Sequence, residues 1–299
     1  SGSGKTTLVR KILYPALQKM TSGYGEKAGL HREVKGDVKM ISQIEMVDQN
    51  PLGSSRSNPV TYIKAYDAIR DLYSNLSASR IKGFKPKHFS FNVEGGRCET
   101  CKGEGEIIVE MQFLADVHLI CEECKGKRFK DEVLEVMYKE KNIADVLDMS
   151  VDEAIEFFWE EEKIVEMIKP LQDVGMGYVK LGQSSSTLSG GEAQRVKLAS
   201  FLGKGNVGKP VLFIFDEPTT GLHFHDISKL LKSFDMLIEN GHSVIIIEHN
   251  VEVIKCADHI IDLGPVGGND GGYLVFQGTP EELVKVKESF TGEYLGKKL

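Results

Sequence analysis

At 299 residues the chain is long enough for two or more cores, and 41% hydrophobic with 27% charged residues is a globular composition. The formal net charge of −7 argues against a protein that coats nucleic acid non-specifically, though it leaves room for a local basic patch. No run approaches 18 apolar residues, so no membrane span or membrane partner is expected. Four of the five cysteines form two C-x-x-C pairs, which point to metal in a reducing, cytoplasmic setting more than to disulfides.

The chain opens S-G-S-G-K-T-T, the back half of a phosphate-binding loop, G-x-x-x-x-G-K-[ST]. The loop's first glycine would precede Ser1, so the chain is expected to be a fragment that holds nucleotide poorly on its own. Gly2, Gly4, Lys5, Thr6 and Thr7 then stand at the mouth of a helix running through Leu8, Ile12, Leu13 and Ala16. There the glycine-rich backbone cradles phosphates, Lys5 reaches the β/γ oxygens and Thr6 ligates Mg²⁺. Val38–Val47 reads as a strand that ends at Asp48-Gln49. Asn58-Pro59 starts a helix with proline at its first position, and Val60, Ile63, Tyr66, Ile69 and Tyr73 form its apolar stripe.

Ser79–Lys130 differs in composition from its surroundings. Arg80, Lys82, Lys85, Lys87 and Arg97 sit among Phe84, His88, Phe89 and Phe91. Such a mixture suits either a surface that tracks nucleic acid or a solvated loop with anchoring rings, and composition does not choose between them. Cys98-x-x-Cys101 and Cys121-x-x-Cys124, nineteen residues apart, have the spacing of a structural four-cysteine Zn²⁺ site. Gly103, Gly105 and Gly126 permit the turns that wrap thiolates round a tetrahedral ion. Glu106–Phe113 and Leu114–Ile120 are expected to form a ribbon between the two knuckles. Cys256 is expected in a later helix as a plain buried thiol.

Asn142–Met149 and Val151–Trp159 read as helices, the second capped by Ser150 with Glu153. Glu160–Glu162 is a solvated face, and an amphipathic stretch from Lys163 is expected to run until Pro170. In Leu188–Ala199, L-S-G-G-E-A-Q-R-V-K-L-A, Ser189 and Glu192 make a capping box, and Ala193, Val196 and Leu202 keep helical spacing. Gly190 and Gly191 leave the amides at that helix mouth bare, which favours phosphate; an ordinary capped surface helix is the equal alternative. Val211–Phe215 reads as a strand buried on both faces and ends in Asp216 and Glu217, at the edge where open α/β sheets bind ligands. Asp226 is expected to cap a helix that Gly241 closes, and Ser243–Ile247 is a second buried strand delivering Glu248-His249. Ile260–Leu263 and Tyr273–Phe276 are short strands about a glycine-rich turn, and Thr279-Pro280 starts the last helix.

L-S-G-G-E is similar to the signature motif of ABC-type ATPases, with Glu192 where many members carry Gln. The resemblance implies an α/β fold: an ABC-type P-loop ATPase core with a helical signature domain carrying a zinc-ribbon insertion. Its expected segments are 1–50 and 188–299 for the core and 51–187 for the signature domain, with the zinc module at about 85–130. It also implies roles. Gln49 would sense metal and attacking water, Asp216 would hold Mg²⁺, Glu217 would polarise the water, and His249 would contact the γ-phosphate. Ser189, Gly190, Gly191 and Glu192 would reach a nucleotide held by the opposite ATPase domain, and 218–223 resembles the loop between facing domains.

The zinc ribbon, with R-S-N-P-V-T-Y (56–62), F-S-F-N-V-E-G-G-R-C (89–98), D-E-P-T-T-G-L-H and E-H-N, narrows the likeness to the damage-recognition ATPases of bacterial nucleotide excision repair, in their C-terminal half. The loop 53–56 departs from that pattern by being one residue short. The resemblance implies ATP, Mg²⁺ and Zn²⁺ as cofactors. It implies damaged duplex DNA, a helicase, the protein's own N-terminal ATPase half and a second protomer as partners. A drug-resistance paralogue and a catalytically silent zinc- and DNA-binding fragment are the alternatives.

Overall fold

The computed structural model describes residues 2–53, 57–109, 111, 117–203, 209–268 and 271–298. Ser1, the loop residues 54–56 and the ribbon stretch 112–116 of the reading above lie outside the described residues. The chain divides into two compact units, Ser1–Asn50 with Lys204–Leu299, and Pro51–Gly203.

The first unit is built on a parallel sheet in the order β1 (Gln43–Val47), β4 (Val211–Asp216), β5 (Ser243–Ile247). Ile44 pairs with Leu212, and Phe215 with Ile246. Alternation along β4 sorts its side chains. Leu212 and Ile214 pack with Ile44 and with Leu17 of the helix Tyr14–Ser22. Phe213 and Phe215 face the other way, Phe215 lying 4.8 Å from Phe234 of the helix Phe224–Glu239. Burying both faces of β4 explains its unbroken apolar run. A hairpin of β6 (Ile260–Gly264) and β7 (Tyr273–Gly278) and the helices Pro280–Leu283 and Phe290–Leu295 follow.

Several boundaries differ from the sequence reading. Residues 38–40 form a short 3₁₀ turn, the Met40 amide bonding to the Asp37 carbonyl, so only Gln43–Val47 is extended. The helix that starts at Thr7 is π-type through Leu13 before it tightens. Pro15 supplies no N–H to the Lys11 carbonyl four residues back, and that oxygen accepts the Gly29 amide instead, at 2.9 Å. His223, not Asp226, precedes the helix Phe224–Glu239; the Asp226 amide already bonds to the His223 carbonyl, so Asp226 sits in the first turn. Strand β5, expected buried, is half-buried over Val244–Ile246. Cys256, expected buried, is exposed past the short helix Val251–Ile254.

The second unit, mainly helical apart from the antiparallel ribbon of β2 (Glu106–Val109) and β3 (Val117–Ile120), runs on to Gly203, beyond the segment boundary at 187 expected above. The helix Ala65–Asn75 packs on the turn Pro86–Phe89 and on Glu162–Asp173, which also meets Val151–Phe157 and Gly190–Leu202. Tyr66, Ile69, Tyr73 and Phe89 are buried at its centre, with the Tyr66 hydroxyl donating to the Phe89 carbonyl at 2.7 Å. Lys64, at φ +65°, breaks the expected stripe into Pro59–Tyr62 and Ala65–Asn75. Pro170 does not end its helix: its carbonyl still accepts the Val174 amide, and the element continues to Asp173. Among the described residues no helix is long and apolar enough to cross a membrane.

Candidate active site and metal centre

The C-terminal edge of the sheet gathers most of the residues singled out in the first unit. Gly2 and Gly4 adopt φ of +85° and +86°, which only glycine takes without strain, and they turn the chain into the Thr7 helix. Lys5 Nζ lies 3.2 Å from Ser3 Oγ. The Thr6 hydroxyl donates to Asp216 Oδ1 at 3.2 Å across 210 residues of sequence. A hydroxyl and a carboxylate brought together in this way are hard oxygen donors of the kind Mg²⁺ takes. Burial raises the Asp216 carboxyl above its ordinary range; the Thr6 hydroxyl opposes the shift and the charge of Glu217 adds to it. A divalent cation would reverse that balance.

Glu217 stands at φ +46°, a left-handed conformation costing a non-glycine residue about 1–3 kcal/mol. Its backbone is pinned there. The Glu217 amide donates to the Ile247 carbonyl at 2.9 Å, and its carbonyl accepts the Thr220 amide and hydroxyl and, at 3.4 Å, Gln49 Nε2. The Glu217 carboxylate faces His249, Oε1 to Nδ1 being 3.6 Å. Gln49, Asp216, Glu217 and His249 thus share one edge with Thr6, although they come from three strands and a helix mouth.

Sequence reasoning missed three supports of this edge. Arg10 pairs with Asp48 at 3.2 Å, beside Gln49. The Gly268 amide donates to the Gly2 carbonyl at 3.2 Å, so the turn between β6 and β7 backs the phosphate loop. Glu248 receives hydrogen bonds from both neighbouring loops. All three are contacts between element ends, for which no sequence spacing exists.

In the second unit, Ser189 caps Gly190–Leu202 by the expected box: the Glu192 amide donates to Ser189 Oγ at 3.3 Å, and the Ser189 amide to Glu192 Oε2 at 2.8 Å. The first intrahelical bond is from the Ala193 amide to the Ser189 carbonyl, so the Gly190 and Gly191 amides precede the ladder. Burial opposes ionisation of Glu192. The Tyr178 hydroxyl at 2.7 Å, the Ser189 amide and hydroxyl, and the charge of Arg195 outweigh it and hold the carboxyl below its usual range.

The four paired cysteines are buried, and their sulfurs all lie within 4.8 Å of one another. Cys98 and Cys121 are 3.9 Å apart, Cys101 and Cys124 3.6 Å. Four sulfurs bound tetrahedrally at about 2.3 Å would stand about 3.8 Å apart, so the quartet fits zinc and leaves no open coordination position. Both knuckles repeat one turn: Lys102-Gly103 and Lys125-Gly126 are left-handed pairs at φ +52°/+86° and +50°/+83°. A Cβ at Gly103 would lie 1.9 Å from the Phe91 carbonyl oxygen, which rules out a side chain there. The Gly105 amide donates to Cys101 Sγ at 3.2 Å. Burial pushes the Cys124 thiol up to about 12 and raises Cys98, so a bound cation must displace those protons.

The basic and aromatic loop resolves into two parts. Phe89 and Phe91 are buried anchors, Phe91 lying 5.2 Å from Tyr66. Lys82 pairs with Glu135, and Arg97 with Glu94 and Glu99. Arg80, Lys85 and Lys87 are exposed, beside Phe84 stacked on His88.

A parallel sheet whose strand ends carry a carboxylate pair, a glutamine and a histidine beside a phosphate-type loop defines a P-loop ATPase core. The model of the ABC transporter family matches residues 1–220, and the chain belongs to that family. Within it the likeness is to UvrA. The chain is 53% identical over 300 aligned residues to the UvrABC system protein A of Clostridium perfringens and to that of Clostridium tetani, covering 100% of this chain and 32% of each relative. The crystal structure of UvrA2 from Deinococcus radiodurans superposes with a TM-score of 0.88 at 43% identity, covering 99% of this chain and 36% of that one. The chain therefore spans about a third of the length of the relatives it matches.

Proposed function

We propose that the full-length protein carrying this chain is a DNA-damage-recognition ATPase of a UvrABC excision system, and that this chain is its C-terminal ATPase half. The observation that carries the reading is the convergence of Thr6, Gln49, Asp216, Glu217 and His249 at one sheet edge. The chain in which they converge is 53% identical to UvrABC system protein A along its whole length.

In this reading the amides of Gly2 and Gly4, with Lys5 and Thr7, grip the β- and γ-phosphates of ATP. Thr6 and Asp216 offer oxygens to Mg²⁺, which when bound neutralises charge on the transferring phosphoryl group. Glu217 orients the attacking water and accepts its proton; Gln49 and His249 fix where that water and the terminal phosphate sit. Ser189, Gly190, Gly191 and Glu192 serve a nucleotide held by the N-terminal half of the protein or a second protomer.

Zn²⁺ on Cys98, Cys101, Cys121 and Cys124 shapes the module next to exposed Arg80, Lys85 and Lys87, a surface suited to duplex DNA. Nucleotide turnover would then couple damage verification to the loading of UvrB by a cytoplasmic homodimer.

ATP turnover of the full-length protein and of this chain alone, each with and without damaged duplex, tests the reading. Turnover by the full-length protein that responds to damage, near inactivity of the chain alone, and retention of UvrB on damaged DNA are expected. A full-length protein without turnover, or with equal affinity for damaged and intact duplex, overturns it. Normal turnover without UvrB loading would favour the resistance paralogue.

A further inference from the structure

We infer that Glu248 is a positioning residue for the hydrolytic step, clamping the turn after β4 to the loop that carries His249. The inference rests on the ATPase reading of this sheet edge. Glu248 Oε1 accepts the Thr219 amide at 3.0 Å and the Thr219 hydroxyl at 2.5 Å. Oε2 accepts the His249 amide at 2.8 Å and the Asn250 amide at 3.0 Å. One half-buried carboxylate therefore takes four hydrogen bonds, two from each loop. Hydrogen bonds to an ionised acceptor are about twice as strong as neutral ones.

The clamp closes a ring. On one side, the Thr220 amide and hydroxyl hold the carbonyl of left-handed Glu217 at 3.2 and 3.0 Å. On the other, the Glu217 amide bonds to the Ile247 carbonyl at 2.9 Å, one residue before Glu248. Asn250 continues the chain of contacts by capping Val251–Ile254 through the Glu252 amide at 2.9 Å. The backbone of Glu217 and the backbone of His249 are thereby held in one frame, with their side chains 3.6 Å apart. Glutamine at 248 has the same shape, but its amide group would face two N–H or O–H donors. One arm of the clamp would be lost with no change in volume.

The test uses the full-length protein with the phosphate-loop lysine of its other ATPase half replaced by alanine, so that turnover reports on this half. Glu248→Gln should lower kcat about tenfold and leave KM for ATP within about twofold. In a His249→Ala background the same substitution should cost less, because only its hold on the Glu217 turn then remains to be lost. Thr219→Val should lower kcat and Thr219→Ser should restore it, which decides the matter should Glu248→Gln fold poorly.

Wild-type kcat in Glu248→Gln, a loss confined to KM, or an equal further loss in the His249→Ala background would overturn the clamp. Failure of the underlying ATPase reading looks different: the parent protein and its Glu217→Gln variant would then have the same turnover.

Discussion

In the sheet unit, Asp216 and Glu217 are held by what lies beneath them: Phe213, Ile214 and Phe215 are each no more than 2% exposed, and every residue of β4 from Leu212 to Phe215 pairs with both neighbouring strands. In the cysteine module the thiols are held by two left-handed turns and amide bonds, while Ile108 and Leu119 on its ribbon are 42% and 51% exposed. The first region fixes polar atoms by burying apolar neighbours. The second has little to bury and brings its sulfurs together where an ion can join them. A site on the sheet should therefore persist without its ligand, and the module should not.

Removing the metal is the sharpest way to break that comparison. Zinc contributes roughly 10–16 kcal/mol of apparent folding free energy in small modules. Chelation, or Cys121→Ser, should abolish amide-exchange protection at Cys98, Cys121 and Lys130 while Phe213–Phe215 stay protected; elemental analysis should find one zinc per chain beforehand. Phe215→Ala tests the other region. Loss of the ring packed on Phe234 should cost about 3–5 kcal/mol in a thermal or denaturant melt, with zinc content unchanged.

Glu217→Gln removes the proposed proton acceptor and leaves the strand beneath it. In the full-length protein turnover should fall by roughly 10²–10⁴-fold with little change in melting temperature. A melt shifted as far as that of Phe215→Ala would show that the carboxylate supports the fold.

The smallest effect concerns Glu192. Its folded carboxyl is held below the usual value of about 4.3, so the stability it contributes is complete above that value and disappears as pH falls through the lowered one. Glu192→Gln should flatten that acid limb of a melting-temperature profile, and Ser189→Ala should cost about 1 kcal/mol at neutral pH.

The features legible in the sequence are those whose partners lie within one helical turn or one strand. Ser189 with Glu192, Ser150 with Glu153, and the β4 run into Asp216 are all of that kind. The cysteine quartet was legible for another reason, since few chemistries use that spacing. What was not legible depends on distant chain segments. Left-handed Lys64 splits a stripe whose periodicity gives no warning of a break. Pro170 remains helical because its carbonyl, unlike its nitrogen, can still bond. Glu248 looks like any polar residue after a strand until Thr219, 29 positions earlier, is brought beside it.

Pro15 has a consequence for how this chain can change. By lacking an amide hydrogen it leaves the Lys11 carbonyl open to Gly29, whose added Cβ would lie 2.9 Å from Ile12. A side chain at 29 would press on Cγ1 of Ile12, so keeping the Gly29 amide on that oxygen would require Ile12 to shift. Gly29→Ala should therefore weaken the backbone contact by which this loop lies against the helix.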